Sequence, residues 1–230
     1  MIACAVECRY VSPAEVSERV VELRAVYAEV FSLPPYNEGP ELADEFLDQL
    51  AAESKRPGFS LVAACGGGRL LGFAYGYTMP AGEWWDGTDR PAPEEVKAAD
   101  KLAVIEWAVL PDRRGAGVGR RLLDELLAGR REQWATLTVV PAAAARAIYD
   151  RWGWRQVAST RPGRMPGMAF MLLELPAAAE PERIHELGQE QCRFLKRTQG
   201  EVRRLCRVTR STENSSDFAI GRSLRVVRSV

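Results

Sequence analysis

Histidine is almost absent from this chain, with His185 alone among 230 residues. The five cysteines, Cys4, Cys8, Cys65, Cys192 and Cys206, are odd in number and irregular in spacing. No Cys-x-x-Cys pair or matching His cluster accompanies them. Reduced thiols are therefore expected, and no metal site. Net charge is also missing, because 31 Lys and Arg balance 31 Asp and Glu. That balance argues against nucleic acid as a partner and against a polybasic membrane surface. No apolar run approaches the ~20 residues of a membrane span. No signal-like segment precedes the first element, so a soluble cytoplasmic protein is expected.

What is present is apolar material, 47% of the residues, enough for one large domain or for one domain with an appendage. Residues 2–11 alternate weakly and read as a strand. Ser12-Pro13-Ala14-Glu15 then combines an N-cap serine, a proline at the first helical position and a glutamate at the third. The expected helix runs to about Phe31, before Pro34-Pro35. A second helix is expected over 40–52. Residues 59–65 and 69–78 are apolar runs joined by Gly66-Gly67-Gly68, a hairpin signal. Residues 80–100 read as a long loop carrying Trp84-Trp85, with one helical turn near 93–99. Strand 101–110, helix 117–131, strand 135–140 and helix 141–152 follow. Two closing strands are expected at 154–159 and 168–175. The order β α α β β β α β α β β predicts an α/β (α+β) domain, with one mixed sheet and helices on both faces.

After Leu175 the composition changes. Residues 176–230 hold eleven Lys or Arg against seven Asp or Glu, and residues 1–175 carry the opposite balance. The expected domain is therefore 1–175, with 176–230 as a C-terminal extension. Ile184, Leu187, Phe194, Leu195, Val202 and Leu205 fit one side of an amphipathic helix. A poorly ordered extension is the other reading. The Arg/Val-rich segment Ser223–Val230 reads as a strand or as unstructured chain.

The chemistry concentrates in residues 102–127, LAVIEWAVLPDRRGAGVGRRLLDELL. Glycine costs roughly 1 kcal/mol against alanine inside a helix, so Gly115, Gly117 and Gly119 at a helix entrance need a reason. Bare amides and the positive helix end suit an anion, above all a phosphate. No Gly-Lys-Ser/Thr follows, which excludes a Walker loop. The spacing also departs from the dinucleotide fingerprint. A plain glycine-rich turn with solvated arginines is the competing reading.

Arg114-Gly115-Ala116-Gly117-Val118-Gly119 instead resembles the Arg-x-x-Gly-x-Gly pyrophosphate motif of the GNAT superfamily of acyl-coenzyme A-dependent N-acetyltransferases. The context is similar too: a strand, Pro111, the glycine loop, a Leu-rich helix, and later Tyr149-Asp-Arg-Trp-Gly153-Trp154. The resemblance covers residues 1–175. It implies a mostly antiparallel sheet of about seven strands, with acetyl-CoA as co-substrate. It implies that the amides of Gly115, Ala116, Gly117, Val118, Gly119 and Arg120 cradle the pyrophosphate. The side chains of Arg113, Arg114 and Arg120 would add charge.

Glu106 is the one carboxylate in an otherwise apolar strand, and burying it alone is costly. An attacking ammonium must lose a proton, and a buried carboxylate suits that task. The resemblance assigns the general-base role to Glu106; a structural ion pair, for instance with Lys101, is the competing reading. It also implies that this strand splays from the next and pairs with pantetheine through Trp107, Ala108 and Val109. The Val109 amide would then polarise the thioester carbonyl. Tyr149 would protonate the departing thiolate, unless it is a core tyrosine. One departure is visible: the helix opening Pro141-Ala-Ala-Ala-Ala145 lacks the asparagine that many relatives use on pantetheine.

The acceptor side falls to Tyr36, Glu38, Trp84, Trp85 and Asp86. The two tryptophans either wall a pocket for an amine or plug their loop onto the core. The expected reaction is transfer of acetyl from acetyl-CoA to a primary amine of a small molecule, by direct attack in a ternary complex. A protein N-terminus or lysine as acceptor, a longer acyl donor and a non-catalytic coenzyme A sensor remain open alternatives. A homodimer is also left open.

Overall fold

A computed structural model of the protein describes residues 6–161 and 167–176, together with the backbone of 228–229. Strand β1 (Glu7–Val11) leads into α1 (Pro13–Glu18) through the expected capping box. The Ser12 amide donates to Glu15 at 2.9 Å, and the Glu15 amide donates to the Ser12 hydroxyl at 3.3 Å. The helix expected to run on to Phe31 breaks at Arg19, whose φ of −105° and ψ of 8° leave the helical region. Its amide closes a short bond to Val16 O, and its carbonyl accepts from Leu23 to begin α2 (Val20–Phe31). The Arg19 side chain reaches away to Glu22 and to the Cys65 sulfur.

Helix α3 (Pro40–Glu53) follows, then the hairpin of β2 (Ser60–Gly66) and β3 (Arg69–Met79). Gly67 and Gly68, with φ of 59° and 76°, supply its two-residue turn, which needs positive φ at both positions. The single turn α4 (Glu94–Lys97) precedes β4 (Lys101–Val109). Next come α5 (Val118–Leu127), β5 (Trp134–Val139), α6 (Ala144–Arg151), β6 (Arg155–Ser159) and β7 (Ala169–Glu174). Helix α5 stops short of the expected residue 131 because Ala128 turns extended and Gly129 takes φ 64°.

The sheet runs β1-β2-β3-β4-β5-β7-β6, and among these only β4 and β5 pair in parallel. This is the expected mixed, mostly antiparallel sheet of seven strands. A two-residue strand β8 (Arg228–Ser229) pairs with β4 beside this path. The strand option for Ser223–Val230 is therefore realised at those two residues. The other features expected of the extension, including its helix, and Cys4, Cys192 and Cys206 lie outside the described residues.

Alternation sends side chains to two cores, one on each face of the sheet. Val16, Leu23, Phe31 and Phe46 from α1–α3 cover Phe73, Tyr75 and Ala108. Val118, Leu122 and Leu126 from α5, with Ala145 and Tyr149 from α6, cover Ala74, Val104 and Trp107. Full burial of each large apolar side chain stabilises the fold by roughly 1.5–3 kcal/mol.

Candidate active site

Strand β4 is buried along its whole length, so Glu106 has a single face to occupy and little water around it. A bulge chooses the face. Tyr75 on β3 pairs with Glu106, whereas Gly76 pairs with Val104, so Ile105 is an extra residue. Below the bulge Val104 faces the α5–α6 core. Above it Glu106 shares the α1–α3 face with Tyr75, while Trp107 and Val109 turn to the α5–α6 side. Nothing in residue spacing announced this inversion.

The same place is where β4 and β5 part. Their parallel ladder has three register pairs, ending at Ala103 and Thr136. Strand β5 then continues with β7 to Val139, and β4 continues with β3 to Val109. A wedge opens between them. On the β3 side the ladder extends to Leu110, whose amide donates to Leu71 O at 2.9 Å. Amides alternate along a strand, so those of Trp107 and Val109 face the wedge. The amide of Ala108 faces β3.

Tyr149 packs from α6 onto Trp107 of β4. It is fully buried, and its ring lies 5.5 Å from both Trp107 and Trp154 between centroids. Burial pushes its phenol well above the ordinary value, and negative charge at Tyr36 and Glu106 pushes the same way. Tyr149 is thus within electrostatic reach of both Tyr36 and Glu106, although the three come from a helix, a loop and a strand. Tyr36 also packs against both cores. It follows the cis Pro34–Pro35 bond and meets Phe31 edge-on at 5.2 Å.

The glycine loop divides into two jobs. Gly115 and Gly117 have φ of 74° and 77°, and a Cβ on either would meet nothing within 4 Å. They face open space and hold the left-handed backbone that lets α5 begin. Gly119 instead makes room for Trp107: a Cβ there would lie 2.6 Å from its ring. The Trp107 indole donates to Gly119 O at 3.1 Å, which ties the loop to β4. Helix α5 has no side-chain cap, and its first turn leaves the amides of Val118, Gly119 and Arg120 without intrahelical acceptors. Ala116 precedes them in the loop. Arg114 donates weakly to Val109 O at 3.4 Å, and burial lowers its affinity for its proton while Tyr36 opposes this. Arg120 grips Asp124 with its Nε at 2.7 Å and stacks on Trp152 at 4.8 Å.

Trp84 and Trp85 are half-buried. Trp85 packs against both large cores, and its indole donates to Thr136 Oγ1 at 2.9 Å at the last β4–β5 pair. Thr136 passes its own proton to Met171 O at 3.0 Å. Trp84 packs on the α1–α3 core. The structure thus docks this loop onto the core at the mouth of the wedge. Sequence reasoning missed Thr136, Tyr75 and Glu53, because none stands out by type or spacing. The Tyr75 hydroxyl donates to Glu53 Oε2 at 2.8 Å beneath Glu106. Lys101, the ion-pair partner considered for Glu106, donates instead to the carbonyls of Pro80 and Ala99. No group of metal-binding side chains occurs among the described residues. A shallow groove of about 540 Å³ beside Asp100 and Glu132 contains none of these site residues.

A splayed β4–β5 pair beside a glycine-opened helix defines a class of acyl-transfer fold. The model of the acetyltransferase (GNAT) family matches residues 21–154, and the chain belongs to that family of acyl-CoA-dependent enzymes. Solved structures share the fold. An acetyltransferase from Thermus thermophilus is 19% identical, with a TM-score of 0.51, over 76% of this chain and 100% of its own. The ribosomal-protein-S18-alanine N-acetyltransferase from Escherichia coli is 15% identical, with a TM-score of 0.51, over 77% and 98%. PaiA N-acetyltransferase from Thermoplasma acidophilum, in complex with coenzyme A, is 12% identical with a TM-score of 0.50, over 74% and 99%. Nothing among curated proteins matches the chain.

Proposed function

We propose that the enzyme transfers acetyl from acetyl-CoA to a primary amine of a small molecule. The observation that carries the reading is the end of the β4–β5 ladder at Ala103 and Thr136, which leaves an edge of β4 turned to the wedge. The residues fit the donor. Open left-handed glycines and unbonded helix amides suit a pyrophosphate. The strand edge suits the amides of pantetheine. Binding of coenzyme A by PaiA, on the same fold, supports this assignment.

The donor supplies a thioester. Glu106 takes the proton from the incoming ammonium, directly or through water, and the amine nitrogen then bonds to the thioester carbonyl carbon. The Val109 amide, turned to the wedge, stabilises the oxyanion that develops. The carbon–sulfur bond breaks, and the sulfur receives the Tyr149 proton. A phenol whose proton is held tightly at neutral pH is in the correct form to give it.

Tyr36 and Trp85 each pack against both cores, so aromatic rings bound the acceptor end of the wedge. This supports a small amine over an extended peptide. Free Cys8 and Cys65 support a reducing, cytoplasmic setting. No described helix is long and apolar enough to cross a membrane. The test is an acceptor panel of small amines, peptide N-termini and lysine peptides, read by mass of the acetylated product. Turnover with small amines is expected. Turnover confined to the peptides would overturn the acceptor class and leave the donor site standing.

A further inference from the structure

The edge of β4 that β5 abandons has a partner in this chain. Strand β8 runs parallel to β4 there, with Glu106 opposite Arg228 and Trp107 opposite Ser229. It also touches β5 on the other side of the wedge. It therefore fills the gap between the two diverging strands, at the level of the proposed base.

We infer that β8 is an internal competitor of the donor. One edge of a strand forms one ladder, so the segment that carries β8 and a pantetheine arm cannot hold the Glu106–Trp107 edge together. The inference rests on the donor site proposed above. Two residues of ladder bind weakly on their own. Tethering offsets that weakness, because a linked segment meets its site at an effective concentration on the order of millimolar. The apparent affinity for the donor falls by the fraction of molecules whose edge is open. Acetyl-CoA at high concentration displaces the strand, and at low concentration the enzyme closes itself. The device sets a threshold in donor concentration without altering the chemical step.

The experiment uses the full chain and a double variant, Arg228→Pro with Ser229→Pro. Proline has no amide proton, so neither residue can donate to β4. Coenzyme A binding is measured by calorimetry, and acetyl-CoA KM and kcat at saturating amine. The double variant should bind coenzyme A about tenfold more tightly and lower KM by a similar factor, with kcat unchanged. Equal Kd and KM in the two chains would overturn the inference alone. Absence of coenzyme A binding by either chain would overturn the donor site and the inference with it. A second readout adds the peptide Ser223–Val230 in trans to the double variant. Competitive inhibition against acetyl-CoA, unmatched by a scrambled peptide of the same composition, supports the strand. Equal effects of the two peptides count against it, since charge alone would then explain them.

Discussion

Tyr75 and Glu106 are cross-strand partners on the α1–α3 face, and they share it only because Ile105 bulges between them and the rest of the β3–β4 ladder. The bulge turns a carboxylate to that face beyond Ala103, the last residue of β4 to pair with β5. Its side chain is buried, and beneath it Tyr75 hands a hydrogen bond to Glu53.

Glu106→Gln keeps the shape and removes the proposed base. An acceptor amine that is already neutral needs no base, so the loss should depend on pH. The variant should lose about 100-fold in kcat/KM at the acid end of the profile. It should approach the parent as pH nears the pKa of the acceptor. A pH–rate profile with one small amine reads this directly. An unaltered profile would assign Glu106 to packing.

Tyr149→Phe removes a proton donor from a fully buried ring that three aromatic neighbours, Trp107, Trp154 and Tyr36, surround or influence. The ring contacts survive the change. Turnover should fall about 100-fold while coenzyme A affinity stays within about twofold. Equal loss in binding and rate would mean that the hydroxyl holds the wedge together and gives no proton.

The three glycines should separate in experiment. Gly117→Asp places a negative charge in open space at the helix start, in a backbone conformation that Asp tolerates better than most residues. Thermal stability should change little, and KM for acetyl-CoA should rise at least about tenfold through like-charge repulsion. Gly119→Ala drives a methyl into the Trp107 ring and should cost about 1–3 kcal/mol in denaturant unfolding. Coenzyme A affinity unaffected by Gly117→Asp would displace the pyrophosphate from this loop.

Much of this was legible in the sequence, for identifiable reasons. Ser12 and Glu15, the Gly67-Gly68 turn and the apolar run of β4 each follow local rules, and each formed where expected. The break at Arg19 did not show, because nothing in residues 13–31 forbids a continuous helix. The bulge at Ile105 depends on how β3 and β4 register, which is a property of two distant segments. Gly115 and Gly119 look alike in sequence. One faces open space and the other a tryptophan twelve residues earlier, and only packing distinguishes them. The Trp84-Trp85 loop posed a choice between pocket wall and plug. Trp85 is anchored on Thr136 at the last β4–β5 pair, an arrangement that serves either role.

That anchor can be weighed. Trp85→Phe retains most of the ring packing and deletes the indole donor to Thr136. Thr136 still donates to Met171 O, so no buried donor is orphaned. The cost should be about 1 kcal/mol by chemical denaturation. Acceptor KM should move more than acetyl-CoA KM if Trp85 bounds the acceptor end as proposed. The reverse ranking would move Trp85 to the donor side.

Stability should also fall in alkali, and two buried tyrosines should account for part of the fall. Burial raises the phenols of Tyr75 and Tyr149 well above their ordinary value, with Glu53 and Glu106 adding to Tyr75. Below about pH 10 both the folded and the unfolded chain hold these protons, so neither tyrosine changes stability with pH. Above it the unfolded chain loses them and the folded chain keeps them, which favours unfolding. Urea midpoints compared between about pH 8 and about pH 11 should therefore drop. In the double variant Tyr75→Phe with Tyr149→Phe the drop should be shallower, because exposed tyrosines and lysines are common to both chains. An identical drop in the two proteins would show that these phenols ionise as freely in the fold as in the open chain.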